Sequence, residues 1–168
     1  MGVVIREHEP SDIEAYFEWQ SHPLCARWVS WLPKSREQSE EGLLDAIQQQ
    51  HSVDRVRYFF AVVDASSNEM IGDVGFTIVD HEVADCGWFL RPAFWGRGFA
   101  SAAVRLLVDR AFAVPSIKKL KASCAAENVR SERVMQKAGF SFVSRTHDRV
   151  RYQFLRSDWQ EHHNRSPE

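Results

Sequence analysis

The chain carries at its centre the segment Phe89-Leu90-Arg91-Pro92-Ala93-Phe94-Trp95-Gly96-Arg97-Gly98-Phe99-Ala100, an apolar run followed by a proline and two closely spaced glycines. Apolar or small residues then recur at positions 100, 103, 104, 107, 108 and 111, which is helical spacing. The pattern predicts a strand, a loop and a helix. Glycines at 96 and 98 allow positive φ, and the first N–H groups of a helix lack partners within it. We therefore predict an anion site here, most simply a seat for a pyrophosphate.

Several glycine-containing loops bind phosphate, and the residues around these two glycines distinguish them. The nucleoside-triphosphatase loop is excluded because no Gly-Lys-Ser or Gly-Lys-Thr follows at the required spacing. A dinucleotide fingerprint would need its third glycine where Ser101 stands, and Pro92 would interrupt its tight turn. A plain glycine-rich turn before a core helix is a third interpretation. The segment Trp95 to Ala100 resembles a fourth, the cofactor loop of the GCN5-related N-acetyltransferases (GNAT), except that Trp95 replaces their Gln or Arg.

A second segment strengthens this resemblance. Asn128, Ser131 and the run Lys137-Ala138-Gly139-Phe140 resemble the second cofactor segment of the same acetyltransferases, in the same order along the chain. The likeness extends from Val3 to Trp159. Its nearest branch contains the ribosomal-protein N-terminal acetyltransferases.

Length and composition are consistent with one domain, which we expect at residues 1–160, followed by a polar tail at 161–168. A net charge of -2 with interspersed signs argues against nucleic-acid binding, and no apolar run has the length of a membrane helix. We expect a cytoplasmic monomer or homodimer. Three widely spaced cysteines suggest reduced thiols and neither a disulfide framework nor a metal site: Cys25, Cys86 and Cys124.

The order of elements predicts a mixed α/β fold. Strands at 3–8, 58–63, 70–79 and 83–90 precede the loop helix, and strands at 118–124, 140–144 and 150–155 follow it. Capping boxes at Ser11–Glu14 and Ser35–Gln38 predict two early helices. The resemblance implies a single GNAT domain: a mostly antiparallel central sheet, helices on both faces, and a splayed parallel pair formed by the strands at 83–90 and 118–124.

The resemblance also implies the cofactor, acetyl-coenzyme A, and the residues that hold it. Phe89 and Leu90 would pair with its acetyl carbonyl and pantetheine arm. The loop would hold its pyrophosphate, and Asn128 would reach its amides. The full set is Phe89, Leu90, Trp95, Gly96, Arg97, Gly98, Phe99, Ala100, Ser101, Asn128 and Ser131, and no metal is required.

Acetyl transfer to an amine needs an oxyanion donor, an acid for the departing thiolate and a base. The Leu90 N–H is the candidate donor, and the resemblance implies Ser131 as the acid, although Ser131 also suits a helix cap. Asp85 and Cys124 are candidate bases, with a solvated charge and an inert buried thiol as their plainer interpretations. Glu127 and His81 are weaker options.

The acceptor is not disclosed by the residues. The resemblance favours a protein N-terminal α-amine, with small amines or antibiotics as alternatives and a non-catalytic acyl-coenzyme A-binding domain as an alternative of another class. Trp28 and Trp31 would line the substrate side, opposite the strands at 73–83, although covering the core is their other possible role.

Overall fold

The structure is a computed structural model and describes residues 2–164. These residues form seven strands and six helices. The strands are β1 (Val3–Glu7), β2 (Arg57–Asp64), β3 (Met70–Asp80), β4 (Val83–Leu90), β5 (Lys119–Ala125), β6 (Ser141–Arg145) and β7 (Arg149–Leu155). The helices are α1 (Ile13–Ser21), α2 (Pro23–Ala26), α3 (Arg36–Gln49), α4 (Phe99–Phe112), α5 (Val129–Ala138) and α6 (Arg156–Asn164).

All seven strands of the described chain join one sheet in the order β1-β2-β3-β4-β5-β7-β6. Every neighbouring pair is antiparallel except β4 and β5, which the crossover helix α4 connects in parallel. The predicted architecture, including the parallel central pair, is confirmed. The bounds of β4 are those that the sequence predicted.

Helices cover both faces of the sheet. On one face, α4 and α5 pack over a core that includes Val74, Leu107 and Leu120. On the other face, α1 and α3 cover a smaller core around Trp19 and Leu43. Burying each such large side chain contributes about 1.5–3 kcal/mol, so these two layers hold the sheet between them.

One predicted helix start is confirmed and another is wrong. Ser35 and Gln38 form the predicted reciprocal cap of α3. Ser11 does not cap α1, because a short 3-10 turn at Pro10–Asp12 begins first and Glu9 is its N-cap. The Asp12 carboxylate accepts the Glu9 N–H at 2.9 Å and is buried beside Arg6. Contacts to β1 therefore set this helix start.

The C-terminal prediction also needs correction. Residues 161–164, which we expected in the polar tail beyond the domain, continue helix α6 to Asn164. The Trp159 indole anchors this helix by donating to the Asp109 carboxylate at 2.7 Å. The rest of the predicted tail, residues 165–168, lies outside the described residues. No helix within residues 2–164 combines the length and apolar character that a membrane span requires.

Candidate active site

The centre of the sheet contains a gap, because β4 and β5 pair only at their first residues. Their register runs from Val83 with Lys119 to Asp85 with Lys121 and then stops, while both strands continue. Residues 86–90 and 122–125 consequently face each other without pairing. Main-chain groups on these edges are free for a ligand.

The ladder between β3 and β4 identifies which main-chain groups point into the gap. Gly72 lies opposite Leu90, and the next amide, Arg91 N–H, donates to the Ile71 carbonyl at 2.9 Å. This pattern marks Gly72 and Leu90 as a non-hydrogen-bonded pair, whose own N–H and C=O groups point away from the partner strand. The Leu90 N–H therefore points into the gap, and by alternation so do the polar groups of Trp88. The main-chain N–H and C=O groups of Phe89 instead face β3. The prediction that Phe89 pairs with the cofactor through its backbone is therefore wrong, and only its ring is left to border the site.

The glycine loop lies at the wide end of the gap. Gly96 and Gly98 have φ of +77° and +82°, and Gly98 is the N-cap of α4. A Cβ at either position would have no atom within 4 Å, so the space in front of the loop is open. Among the described residues, the N–H groups of residues 97–101 have no hydrogen-bond partner. Open space and unpartnered donors at a helix N-terminus form a binding site for an anion.

Trp95, at the first position of the loop motif, ties the loop to the sheet. Its indole N–H donates to the Leu90 carbonyl at 2.8 Å. The Arg130 guanidinium lies 5.1 Å from the centre of its ring. The Cys25 thiol also approaches the Leu90 carbonyl, at 3.8 Å, so this acceptor is occupied while the N–H of the same residue stays free. Trp95 thereby fixes the loop to the end of β4.

The β5 side of the gap brings together three predicted residues. The Asn128 side chain caps α5 by accepting the Ser131 N–H at 3.1 Å, which leaves its amide NH2 for other partners. The Cys124 thiol lies 3.7 Å from the Asn128 carbonyl. Burial raises the pKa of Cys124, an effect that the Ser131 hydroxyl only partly offsets. The thiol is therefore protonated near neutral pH, which argues against its use as a base.

Comparison with known proteins identifies the family. Residues 3–141 match the family model described as an acetyltransferase (GNAT) domain. The chain belongs to the GNAT acetyltransferases. This acetyltransferase is 25% identical over 140 residues to an uncharacterized N-acetyltransferase, p20, of Bacillus licheniformis, covering 82% of this chain and 78% of that one.

Two solved structures share the fold of this acetyltransferase. The aminoglycoside acetyltransferase AAC(6')-Ib, in complex with paromomycin and acetyl-CoA, superposes with a TM-score of 0.78 at 19% identity and full coverage of both chains. RimL, the ribosomal L7/L12 alpha-N-protein acetyltransferase in complex with coenzyme A, gives 0.76 at 18% identity, covering 92% and 94% of the two chains.

Membership of the family makes the protein an acyl-CoA-dependent enzyme whose acetyl donor is acetyl-CoA. The residues present fit this molecule. Unpartnered loop amides suit its pyrophosphate, and the parted strands leave free main-chain groups for its amide-bearing arm. The exposed guanidinium groups of Arg97 and Arg130 add positive charge beside the loop and form no ion pair within the described chain.

The acceptor side of the gap is aromatic. The Phe89 ring stacks on Trp19 at 4.6 Å between ring centres, and Trp31 packs edge-on against Phe89 at 5.4 Å. Trp31 keeps 49% of its surface exposed, as a wall residue would. Trp28 makes no ring contact with this cluster in the described chain. Its indole lies 4.9 Å from the Arg27 guanidinium.

Two of the predicted bases lie away from the wide end of the gap. Asp85 is the last residue of β4 that pairs with β5, and its Oδ1 lies 3.5 Å from Lys121 Nζ. It lies five residues before Leu90, roughly 16 Å along a strand. His81, at the β3–β4 turn, lies still farther away, and Glu127 is an exposed turn residue. The described residues hold no cluster of His, Cys, Asp or Glu suited to a metal ion.

Sequence reasoning missed a buried pair on the acceptor face. His8 Nε2 lies 2.7 Å from Asp73 Oδ2, and both residues are buried. One signal was available, because Asp73 interrupts the otherwise apolar first part of β3, residues 70–76, and a buried carboxylate needs a partner. Its partner lies 65 positions away, beyond the reach of local pattern.

Proposed function

We propose that this acetyltransferase modifies the N-terminal α-amine of protein chains. The observation that carries the proposal is the openness of the acceptor face. Asp85, Gly87 and Trp31 are all exposed, so the surface beside the gap can admit the end of a chain without enclosing it. The fold shared with RimL, named as an alpha-N-protein acetyltransferase, supports the same acceptor.

The roles of the chain's own groups follow from where they point. Bound acetyl-CoA supplies an activated acetyl thioester. The Leu90 N–H, directed into the gap, would donate to the carbonyl oxygen as negative charge develops there. Loop amides 97–101 would hold the pyrophosphate, and the Asn128 amide NH2 would donate to a carbonyl of the arm. The Ser131 hydroxyl, beside Cys124, would donate to the departing sulfur.

A second candidate acceptor is a small cationic amine. Asp73 and Asp85 lie on the same sheet face as the exposed Gly87, and the Phe89 and Trp31 rings border that space. Carboxylates and aromatic faces both attract an ammonium group. The fold shared with AAC(6')-Ib is consistent with this alternative.

A panel of acceptors tests the proposal. The purified protein and acetyl-CoA are mixed with unblocked peptides, the same peptides N-acetylated, spermidine and an aminoglycoside, and release of free thiol is followed. We expect kcat/KM for an unblocked peptide to exceed that for the small amines at least tenfold. The N-acetylated peptides should release no thiol. Faster turnover of a small amine would favour the second candidate. Tight acetyl-CoA binding without thiol release from any amine would indicate a non-catalytic binding domain.

We also propose a reducing compartment, such as the cytoplasm, for this reaction. Cys25, Cys86 and Cys124 are all free. Burial raises the pKa of Cys25 to about 11, and it raises the pKa of the other two thiols as well. Free thiols are typical of reducing compartments, and disulfides of oxidising ones.

A further inference from the structure

A row of side chains crosses the acceptor face of the sheet toward the wide end of the gap. Strand register places Arg6 beside Ala61, Ala61 beside Asp73, and Asp73 beside Phe89. Asp73 is therefore the cross-strand neighbour of the residue that precedes Leu90. Directly opposed residues in an antiparallel pair have Cβ atoms about 4.5–5.5 Å apart, against roughly 16 Å along β4 from Leu90 to Asp85.

His8 holds one oxygen of this carboxylate. Its Nε2 lies 2.7 Å from Asp73 Oδ2, and its Nδ1 lies 3.4 Å from Asp12 Oδ2. Arg6 in turn binds both oxygens of Asp12, at 2.7 and 2.8 Å. Charges alternate along this chain of four side chains, which allows the His8 side chain to be buried completely.

The other oxygen of Asp73 is available. No described residue donates a hydrogen bond to Oδ1, and the side chain remains 11% exposed. The next row of the same face pairs Gly75 with Gly87. A Cβ at Gly87 would have no atom within 4 Å, so there is room for an amine between this position and the Asp73 carboxylate, along a diagonal whose two residue positions lie roughly 7–8 Å apart.

The electrostatics of the pair suit proton exchange. Burial alone lowers the pKa of His8, but the contacts of its two ring nitrogens with the negatively charged carboxylates of Asp12 and Asp73 outweigh burial and raise the pKa to about 9. The imidazole is thus a cation that fixes Asp73. Burial raises the pKa of the Asp73 carboxyl, which the His8 charge only partly offsets. A carboxylate with a raised pKa is a better base than one on the surface.

We propose that Asp73 binds the ammonium group of the acceptor through Oδ1 and takes one of its protons, and that His8 positions Asp73 for this step. The proposal rests on the proposed amine acetylation. The ammonium becomes a neutral amine while Asp73 becomes a carboxylic acid. As the C–N bond forms and the C–S bond breaks, the second proton passes to the coenzyme A thiolate. Asp73 then releases its proton to water.

Turnover provides the first test. With acetyl-CoA and the best unblocked peptide of the panel, Asp73→Asn is expected to lower kcat at least 30-fold at pH 7, and His8→Gln about tenfold. Both losses should shrink as pH approaches the pKa of the peptide amine, because free amine then forms without a base. Glu40→Gln removes an exposed carboxylate paired with Arg36 and should leave turnover unchanged.

The pH profiles are read against the titratable and charged groups on the acceptor face of the sheet and on the elements packed against it. These groups are His8 and Arg6 from β1 and its end, Asp12 from the turn before α1, Tyr16 from α1, the Asp45–Arg57 ion pair from α3 and β2, and Asp85 from β4.

Binding provides a second test that needs no turnover. By calorimetry with coenzyme A present, the unblocked peptide should bind Asp73→Asn at least fivefold more weakly than the wild type, whereas its N-acetylated form should bind both alike. An NMR titration of the His8 ring should give a pKa near 9 in the wild type and a lower pKa in Asp73→Asn. Thermal unfolding of each variant, with and without coenzyme A, shows whether it folds and binds the cofactor. If Asp73→Asn does not fold, the same binding measurements are made on His8→Gln.

The outcomes separate the two proposals. Equal peptide binding by the wild type and Asp73→Asn would overturn the role of Asp73, whether or not turnover is seen. A turnover loss that persists at high pH would do the same, as would a larger loss in Asp85→Asn. Absence of thiol release by the wild type with every amine, with peptide binding still weakened in Asp73→Asn, would instead refute the acetylation and its proton transfer and leave Asp73 as an amine-binding residue.

Discussion

The two edges of strand β4 have opposite uses. Its β3 edge is paired along the whole strand, from Gly72 opposite Leu90 to Asp80 opposite Val83. Its β5 edge is paired only from Val83 to Asp85. One strand therefore supplies structure on one side and free main-chain groups on the other.

Glycines show a related contrast, between packed and open positions. On the paired side, a Cβ at Gly72 would overlap the Phe89 carbonyl oxygen, so glycine is required for packing. Beside the candidate acceptor and cofactor sites, Gly87, Gly96 and Gly98 each have no atom within 4 Å of such a Cβ. Glycine at the packed position allows β3 and β4 to pair closely, and glycine at the open positions leaves space for ligands.

The largest expected effect is on the paired edge. Gly72→Ala forces β3 and β4 apart, because the obstructing atoms belong to the backbone. We expect a loss of about 3 kcal/mol in the free energy of unfolding, measured by urea denaturation. Gly87→Ala is the matched control and should change stability by less than about 0.5 kcal/mol. Similar losses in both variants would show that the packed position at Gly72 and the open position at Gly87 do not differ in their need for glycine.

A pH titration of stability examines the polar row behind the paired edge. A rise of the His8 pKa from 6.5 to about 9 stabilises the fold fully below pH 6.5, and this contribution is lost as pH rises through 9. We expect the wild type to lose roughly 2–3 kcal/mol more than His8→Gln between pH 6 and 9.5. Parallel curves for the two proteins would show that His8 is not charged in the folded state.

A substitution in the glycine loop beside the open edge should change the affinity for acetyl-CoA. Gly98→Ala introduces a side chain at φ +82°, which costs roughly 1–2 kcal/mol and turns the loop amides. We expect acetyl-CoA to bind at least tenfold more weakly by calorimetry. Gly139→Ala has the same strain, at φ +95°, at the far end of α5, and should destabilise without changing affinity. Equal affinities in the two variants would contradict the assignment of the loop.

Ser131 should show the smallest effect. Ser131→Ala keeps the N–H that Asn128 caps and removes only the hydroxyl. We expect turnover several-fold slower with unchanged acetyl-CoA affinity, because the hydroxyl assists only the leaving sulfur. Unchanged turnover would exclude Ser131 from the reaction, and weaker binding would assign it a cofactor role instead.

Much of the fold could be predicted where the evidence is local. The bounds of β4, the cap of α3 and the start of α5 at Asn128 depend on residues within a few positions of one another. The start of α1 could not be predicted, because Asp12 is drawn in by Arg6 and His8 from β1. Helix α6 extends farther than composition indicated because Trp159 is fixed by Asp109, 50 positions earlier.

The candidate site divides in the same way. Periodicity and two glycines were enough to predict a strand, an anion-binding loop and a helix, since each depends on the backbone preferences of adjacent residues. Tertiary packing alone decided that Trp31 and not Trp28 joins Phe89, and sheet register decided that Asp85 lies at the narrow end of the gap and that His8 meets Asp73. Register arises from packing between segments tens of residues apart, so it is a property of the assembled sheet.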